Sequence, residues 1–192
     1  MRQRSIALLL LLAVGTATLA GAGTTTQEID EYRVKAAFLL NFARFVQWPA
    51  DAFAAPDAPL RLCVIGKDRF GNRLDVLEGR TIQDRRGVIV EPGRSMALAQ
   101  TCHVLFVSRS ASGVSGIMSD SVTLPILTVT ESEGGEGARG IINLVKAWSN
   151  SNDGPADRFR IMFEIDVAAA ETAGLEVGSR LLELALVRNN TQ

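Results

Sequence analysis

The chain has 192 residues, 47% of them hydrophobic, and a formal net charge of −1, which is enough apolar material for one domain, or one domain with a small appendage. It has no basic run to mark a nucleic-acid footprint and no acidic block to mark a disordered tail, so nucleic acid is not an expected partner. Aromatics make up 6% of the residues, so aliphatic side chains must fill most of the core.

Residues 1–22 read as a secretory signal peptide. "MRQR" is basic, "SIALLLLLAVGTATL" is apolar, and Ala20-Gly21-Ala22 offers small residues where a signal peptidase reads them. The rival reading is a membrane anchor, for which the unbroken apolar core is short. Its removal takes away Arg2 and Arg4 and no acid. No later stretch approaches the roughly 18 consecutive apolar residues of a spanning helix, so residues 23–192 are expected to form a single soluble domain in an oxidising compartment.

"GTTTQE" is a leader, and a helix follows from Glu31 to Trp48, where Pro49 pushes the preceding residue out of helical geometry. Phe38, Leu39, Phe42, Phe45 and Val46 form a broad apolar face. Arg33, Asn41, Arg44 and Gln47 form a narrow polar stripe that contains Leu40, while Lys35 lies within the apolar face. A polar stripe this narrow implies that something besides the core covers the helix, with Lys35 snorkelling toward water.

After a proline-punctuated connection, "LRLCVIG" (Leu60 to Gly66) reads as a strand and "KDRFGNRLDVLEG" as a helix ending at Gly79. "GVIVEP" is a second strand, "SMALAQ" a short helix, and "CHVLFVS" (Cys102 to Ser108) a third strand. "ASGVSGIMS" is a weak helix and "LPILTVT" (Leu124 to Thr130) a fourth strand. This rhythm predicts an α/β fold, a mostly parallel sheet covered by helices on both faces. "ESEGGEGARG" is a glycine-rich loop. "GIINLVKA" and "DRFRIMFEI", joined by "WSNSNDGPAD", predict an antiparallel C-terminal strand pair. "DVAAAETAG" is a short helix with Asp166 as N-cap and Gly174 at its end, and "SRLLELALVR" is a closing helix from Ser179.

Gly135 to Gly140 matches a dinucleotide-binding G-x-G-x-x-G in letters, but it leads into a strand where the phosphate site needs a helix. "GGEG" lacks the second acid of a cyclase turn. Gly66, beyond the carboxyl end of a parallel strand, is the better ligand position, suited to a carboxylate or a small amphiphile, although a plain strand–helix turn is the simpler reading. His103 and Cys102 are adjacent on a strand, so their side chains diverge and make no nucleophilic pair. No residue pattern calls for a metal or a cofactor. The 21 acids single out no carboxylate pair. Two cysteines in an exported chain favour one disulfide, Cys63–Cys102, over two separate buried thiols. Glu164 and Arg180 suit a clamp between the last strand and the last helix, or else a partner-facing polar spot; Arg180 with Glu183 is a local alternative.

"YRVKAAFLLNFARFVQWP", "GIINLV", "RFRIMFEID" and "AAAETAGLEVGSRLLELA" together resemble the YfiR-like family (DUF4154) across about Tyr32 to Ala185. The resemblance implies a periplasmic regulator that dimerises, is not an enzyme, and has a cysteine pair bridging two strands. Its partner would be the periplasmic sensor domain of an inner-membrane signalling protein, a diguanylate cyclase, restrained so that cyclic-di-GMP signalling falls. This sequence lacks the second cysteine pair of the family's best-studied member and has a longer connection after Asn143 than is common in the family. Partner-contact residues expected on this basis are Leu40, Arg44, Trp48, Glu164 and Arg180. The alternatives are a small-molecule binder with its cleft near Gly66 and, with less support, a hydrolase.

Overall fold

The computed structural model describes residues 26–75, 77–83, 86–92, 100–132, 139–148 and 159–187. The signal-peptide segment, most of "SMALAQ", most of the glycine-rich loop and the connection at 149–158 lie outside them.

Helix α1 (Thr26–Phe45) comes first, followed by the two-residue strand β1 (Val46–Gln47). Then come β2 (Leu60–Ile65), β3 (Thr81–Ile82), β4 (Arg86–Pro92), β5 (Val104–Val107), α2 (Val114–Ser121), β6 (Leu127–Ser132), β7 (Ile142–Trp148) and β8 (Phe159–Ile165). The chain closes with α3 (Val167–Thr172), β9 (Glu176–Val177), α4 (Ser179–Leu184) and β10 (Leu186–Val187). The main sheet runs β10-β8-β7-β6-β5-β2-β4-β3. Strands β4, β2, β5, β6 and β7 are mutually parallel, and β8 pairs antiparallel with β7. The expected α/β class and antiparallel C-terminal pair are therefore present.

Alternation along the strands divides the core in two. Leu62, Val64, Phe106, Val129, Leu144 and Phe163 point toward α1, which buries Tyr32, Ala36, Leu39 and Phe42 against them. Cys63, Ile65, Leu105 and Val107 point to the other face, where Met118 of α2 packs. On this second face the disulfide Cys63–Cys102, with Cα atoms 6.0 Å apart, joins β2 to a residue two positions before β5.

Three expectations are corrected. First, α1 stops at Phe45, three residues before Trp48, because Val46 and Gln47 pair with Val177 and Glu176. The carbonyls freed at its end find donors: Gly178 N–H reaches Phe45 O at 2.9 Å and Gln83 Nε2 reaches Val46 O at 2.6 Å. A Cβ on Gly178 would lie 2.8 Å from Phe45 O, so this close approach needs glycine. Second, the described residues of 67–79 form one 3-10 turn (Gly71–Arg73) among other turns, not a helix. Phe70, Leu74 and Leu77 are buried as their spacing implies, but left-handed glycines at 66, 71 and 79 cut the segment into turns. Third, the closing helix covers only Ser179–Leu184 before the chain becomes β10. The Asp166 cap is as expected: its side chain accepts from Ala169 N at 2.9 Å.

Candidate functional site

The carboxyl ends of the parallel strands β5, β6 and β7 lie near the first turns of α1. Glu31, Tyr32 and Lys35 of α1 meet Ser108 beyond β5, Glu131 near the end of β6 and Lys146 of β7. Lys35 Nζ is held between Glu31 and Glu131, and Lys146 Nζ reaches Glu31 Oε2 at 2.8 Å. Tyr32 donates to the Glu131 carboxylate at 3.0 Å, and Glu131 Oε1 also accepts from Ser108 Oγ at 3.2 Å and Arg109 N at 3.0 Å. The Lys35, Glu31 and Glu131 side chains are only 3–4% exposed. Lys35 therefore does not snorkel: its ammonium is compensated inside the core by two carboxylates.

Burial opposes ionisation of Glu31, but the hydrogen bonds from Lys146 and Lys35, with their charges, outweigh it and hold the carboxyl below the ordinary glutamate range. Burial, then the charge of Glu131 and the hydrogen bond to it, push the Tyr32 phenol well above the ordinary tyrosine range. The nearby charges of Arg109 and Arg69 act in the opposite direction. With Tyr32, Lys35, Ser108 and Arg109 all donating to it, Glu131 is a filled acceptor, not a general base. The signal for this cluster was partly legible: Glu31 and Lys35 stand four apart on an otherwise apolar helix face. Glu131 and Lys146 were not to be found without the fold.

Beside this cluster, Gly66 and Lys67 after β2 face Ser110, Ala111 and Ser112 after β5 across a crevice of about 400 Å3. A cavity of about 480 Å3 lies on the opposite sheet face, beside α2. Thr128, Asn143, Arg139, Glu164 and Asp166 are among its lining residues.

The sequence-derived contact residues do not converge. Leu40 is half-buried and packs against the core, while Arg44 is exposed. Trp48 is buried, and its indole N–H has no acceptor among the described residues. Glu164 pairs with Arg139 at 2.6 Å, so the expected Glu164–Arg180 clamp is replaced by a bond across the strand pair to the end of the glycine-rich segment; Arg180 is exposed. In the C-terminal strand–helix unit, sequence reasoning singled out Glu164 and Arg180 and missed the exposed leucines, Leu184 at 71% and Leu186 at 46%.

His103 is structural. Its Nδ1 accepts from Arg61 N at 3.0 Å, which makes Nε2 the donor to Ala52 O at 3.0 Å, and the ring stacks on Phe53. Cys102 is committed to the disulfide. Among the described residues no group of His, Cys, Asp and Glu is arranged to hold a metal ion, and no helix is long and apolar enough to cross a membrane.

No curated protein matches the sequence. The model of the YfiR/HmsC-like family (DUF4154) matches residues 32–186, from the buried Tyr32 of α1 to β10. That range takes in nearly all of the sheet and, of the buried ion network, Lys35, Glu131 and Lys146, and it supports a periplasmic regulator of the cyclic-di-GMP pathway in general terms. The chain belongs to the YfiR/HmsC-like family.

Proposed function

We propose that residues 1–22 direct export and are cleaved, and that the remaining domain binds and restrains the periplasmic sensor domain of an inner-membrane signalling protein, a diguanylate cyclase. In this reading the domain is a homodimer and works by protein contact, without catalysis. Family membership supports the regulatory role in general. The observation that carries the binding mode is the exposed Leu184 and Leu186 at the C-terminal end of the matched region. Large aliphatic side chains this exposed, two residues apart in the chain, mark an interaction surface better than a solvated one. Among the described residues, strand β10 pairs with β8 on one side only and ends the sheet, so an added strand has backbone groups to meet. Arg44, Arg180 and the outer edge of Leu40 are the accompanying contacts. Trp48 contributes by holding the end of α1 in place, and Glu164 by fixing Arg139.

The test is co-purification of the exported chain with the periplasmic domain of a diguanylate cyclase encoded beside it, together with cyclic-di-GMP measured in cells. Leu184→Asp is expected to abolish capture and raise cyclic-di-GMP while leaving the melting temperature within a degree or so, because surface changes cost little. Capture and repression unchanged in Leu184→Asp would remove this surface from the mechanism.

A further inference from the structure

We propose that the crevice between the loops after β2 and β5 binds a small organic oxyanion, a molecule carrying a phosphate or carboxylate group. The topology selects this place. The chain leaves β2 for β4 on one side and returns as β5 on the other. Connections that diverge from a central strand leave an opening at the carboxyl ends of the parallel strands, where such sheets take ligands. The crevice of Gly66, Lys67, Ser110, Ala111 and Ser112 lies at that reversal.

Its walls are already organised. Lys67 N–H donates to Ser110 Oγ at 2.7 Å, and Ser110 Oγ lies 3.1 Å from Ser108 Oγ. Gly66 has φ +94, and a Cβ there would stand 3.0 Å from Ala111 N and from Ser110 Oγ, so only glycine lets the two loops close to this distance. The chemistry is cationic and rich in hydroxyls. Lys67 is exposed at the rim, Arg109 is exposed next to Ser110, and the charges of Arg109 and Arg69 reach as far as Tyr32. Of the two acids nearby, Glu131 is paired with Lys35, and Asp68, exposed, is turned to Phe70 N at 2.8 Å. The larger cavity is lined by two carboxylates, Glu164 and Asp166, beside Arg139, which pairs with Glu164. This proposal does not depend on the partner named above.

The experiment follows backbone amide resonances of the exported chain during titration with sodium phosphate and, separately, sodium acetate, at ionic strength held constant with chloride. The expected result is saturable shifts at Gly66, Lys67, Ser110 and Ser112, with a dissociation constant on the order of 1 mM for so small a probe. The tighter of the two salts identifies the anion class. Lys67→Gln, an exposed change that leaves folding intact, should weaken binding about tenfold. No saturable shift with either salt, shifts centred on Arg139 and Glu164, or unchanged binding in Lys67→Gln would each overturn the proposal.

Discussion

At the scale of the residue, Lys35 is the informative case. A lysine on an apolar helix face reads from sequence as a snorkelling side chain, and the fold instead encloses it between Glu31 and Glu131. Removing one partner of a buried ion pair strands the others, so Lys35→Met should cost about 3–5 kcal/mol in denaturant unfolding; a loss below about 1 kcal/mol would mean the acids find water instead. Glu31 adds a pH dependence. Its folded carboxyl titrates below the unfolded one, so its contribution is fully present above the ordinary glutamate range and is lost as pH falls through the folded value. Stability measured across the acid range should therefore fall less steeply in Glu31→Gln than in the natural chain, although the variant starts from a lower plateau. His103 carries a similar lesson: as the acceptor for Arg61 N and a donor to Ala52 O it pins the connection before β2, and His103→Leu should cost about 1–3 kcal/mol by leaving those groups unpaired.

At the scale of the element, the disulfide and the end of α1 show two kinds of cross-chain constraint. Cys63 and Cys102 are separated by 39 positions, yet the approach of β2 to the segment entering β5 brings their Cα atoms within 6.0 Å. Closing a loop of that length restricts the unfolded chain by about 3–4 kcal/mol on the chain-entropy account. Thiol titration should find no free thiol in the oxidised protein, native or denatured, and Cys63→Ser should lower the melting temperature. The bridge was legible because exported chains oxidise paired cysteines. The end of α1 was not. Pro49 suggested a helix to Trp48, but the pairing of Val46–Gln47 with Glu176–Val177 decides the boundary, and nothing local announces a partner about 130 residues away. The segment at 67–79 failed for the opposite reason: its buried residues keep helical spacing while its glycines impose turns.

At the scale of the whole molecule, the fold presents three features: an apolar C-terminal edge at Leu184 and Leu186, a crevice at the β2–β5 reversal, and a polar cavity beside α2. Export is the prediction that belongs here. N-terminal sequencing of the secreted protein should begin near Gly23, and an intact Met1 in the membrane fraction would contradict cleavage. Leu40→Asp should reduce both association and stability, because Leu40 packs partly on the core; Leu184→Asp should reduce association alone. A dimer measured by light scattering that becomes a monomer in Leu184→Asp would place self-association on the same edge.

The amino-acid sequence by itself determined the α/β class, the four parallel strands of the first half, the antiparallel pair, the Asp166 cap and the cysteine pair, because periodicity, turn residues and capping act over a few residues, and oxidation follows the cysteine count. It also carried enough of the combined motifs to indicate the family. Only the tertiary structure decided the strand order, and with it the position of the crevice, because order depends on which way each connection crosses the sheet. Only the structure paired Glu164 with Arg139 instead of Arg180, and gathered Glu131 and Lys146 around a helix that lies about 100 residues earlier in the chain. Buried charges must find counter-charges wherever the fold brings them, and that distance in space has no signature in local sequence.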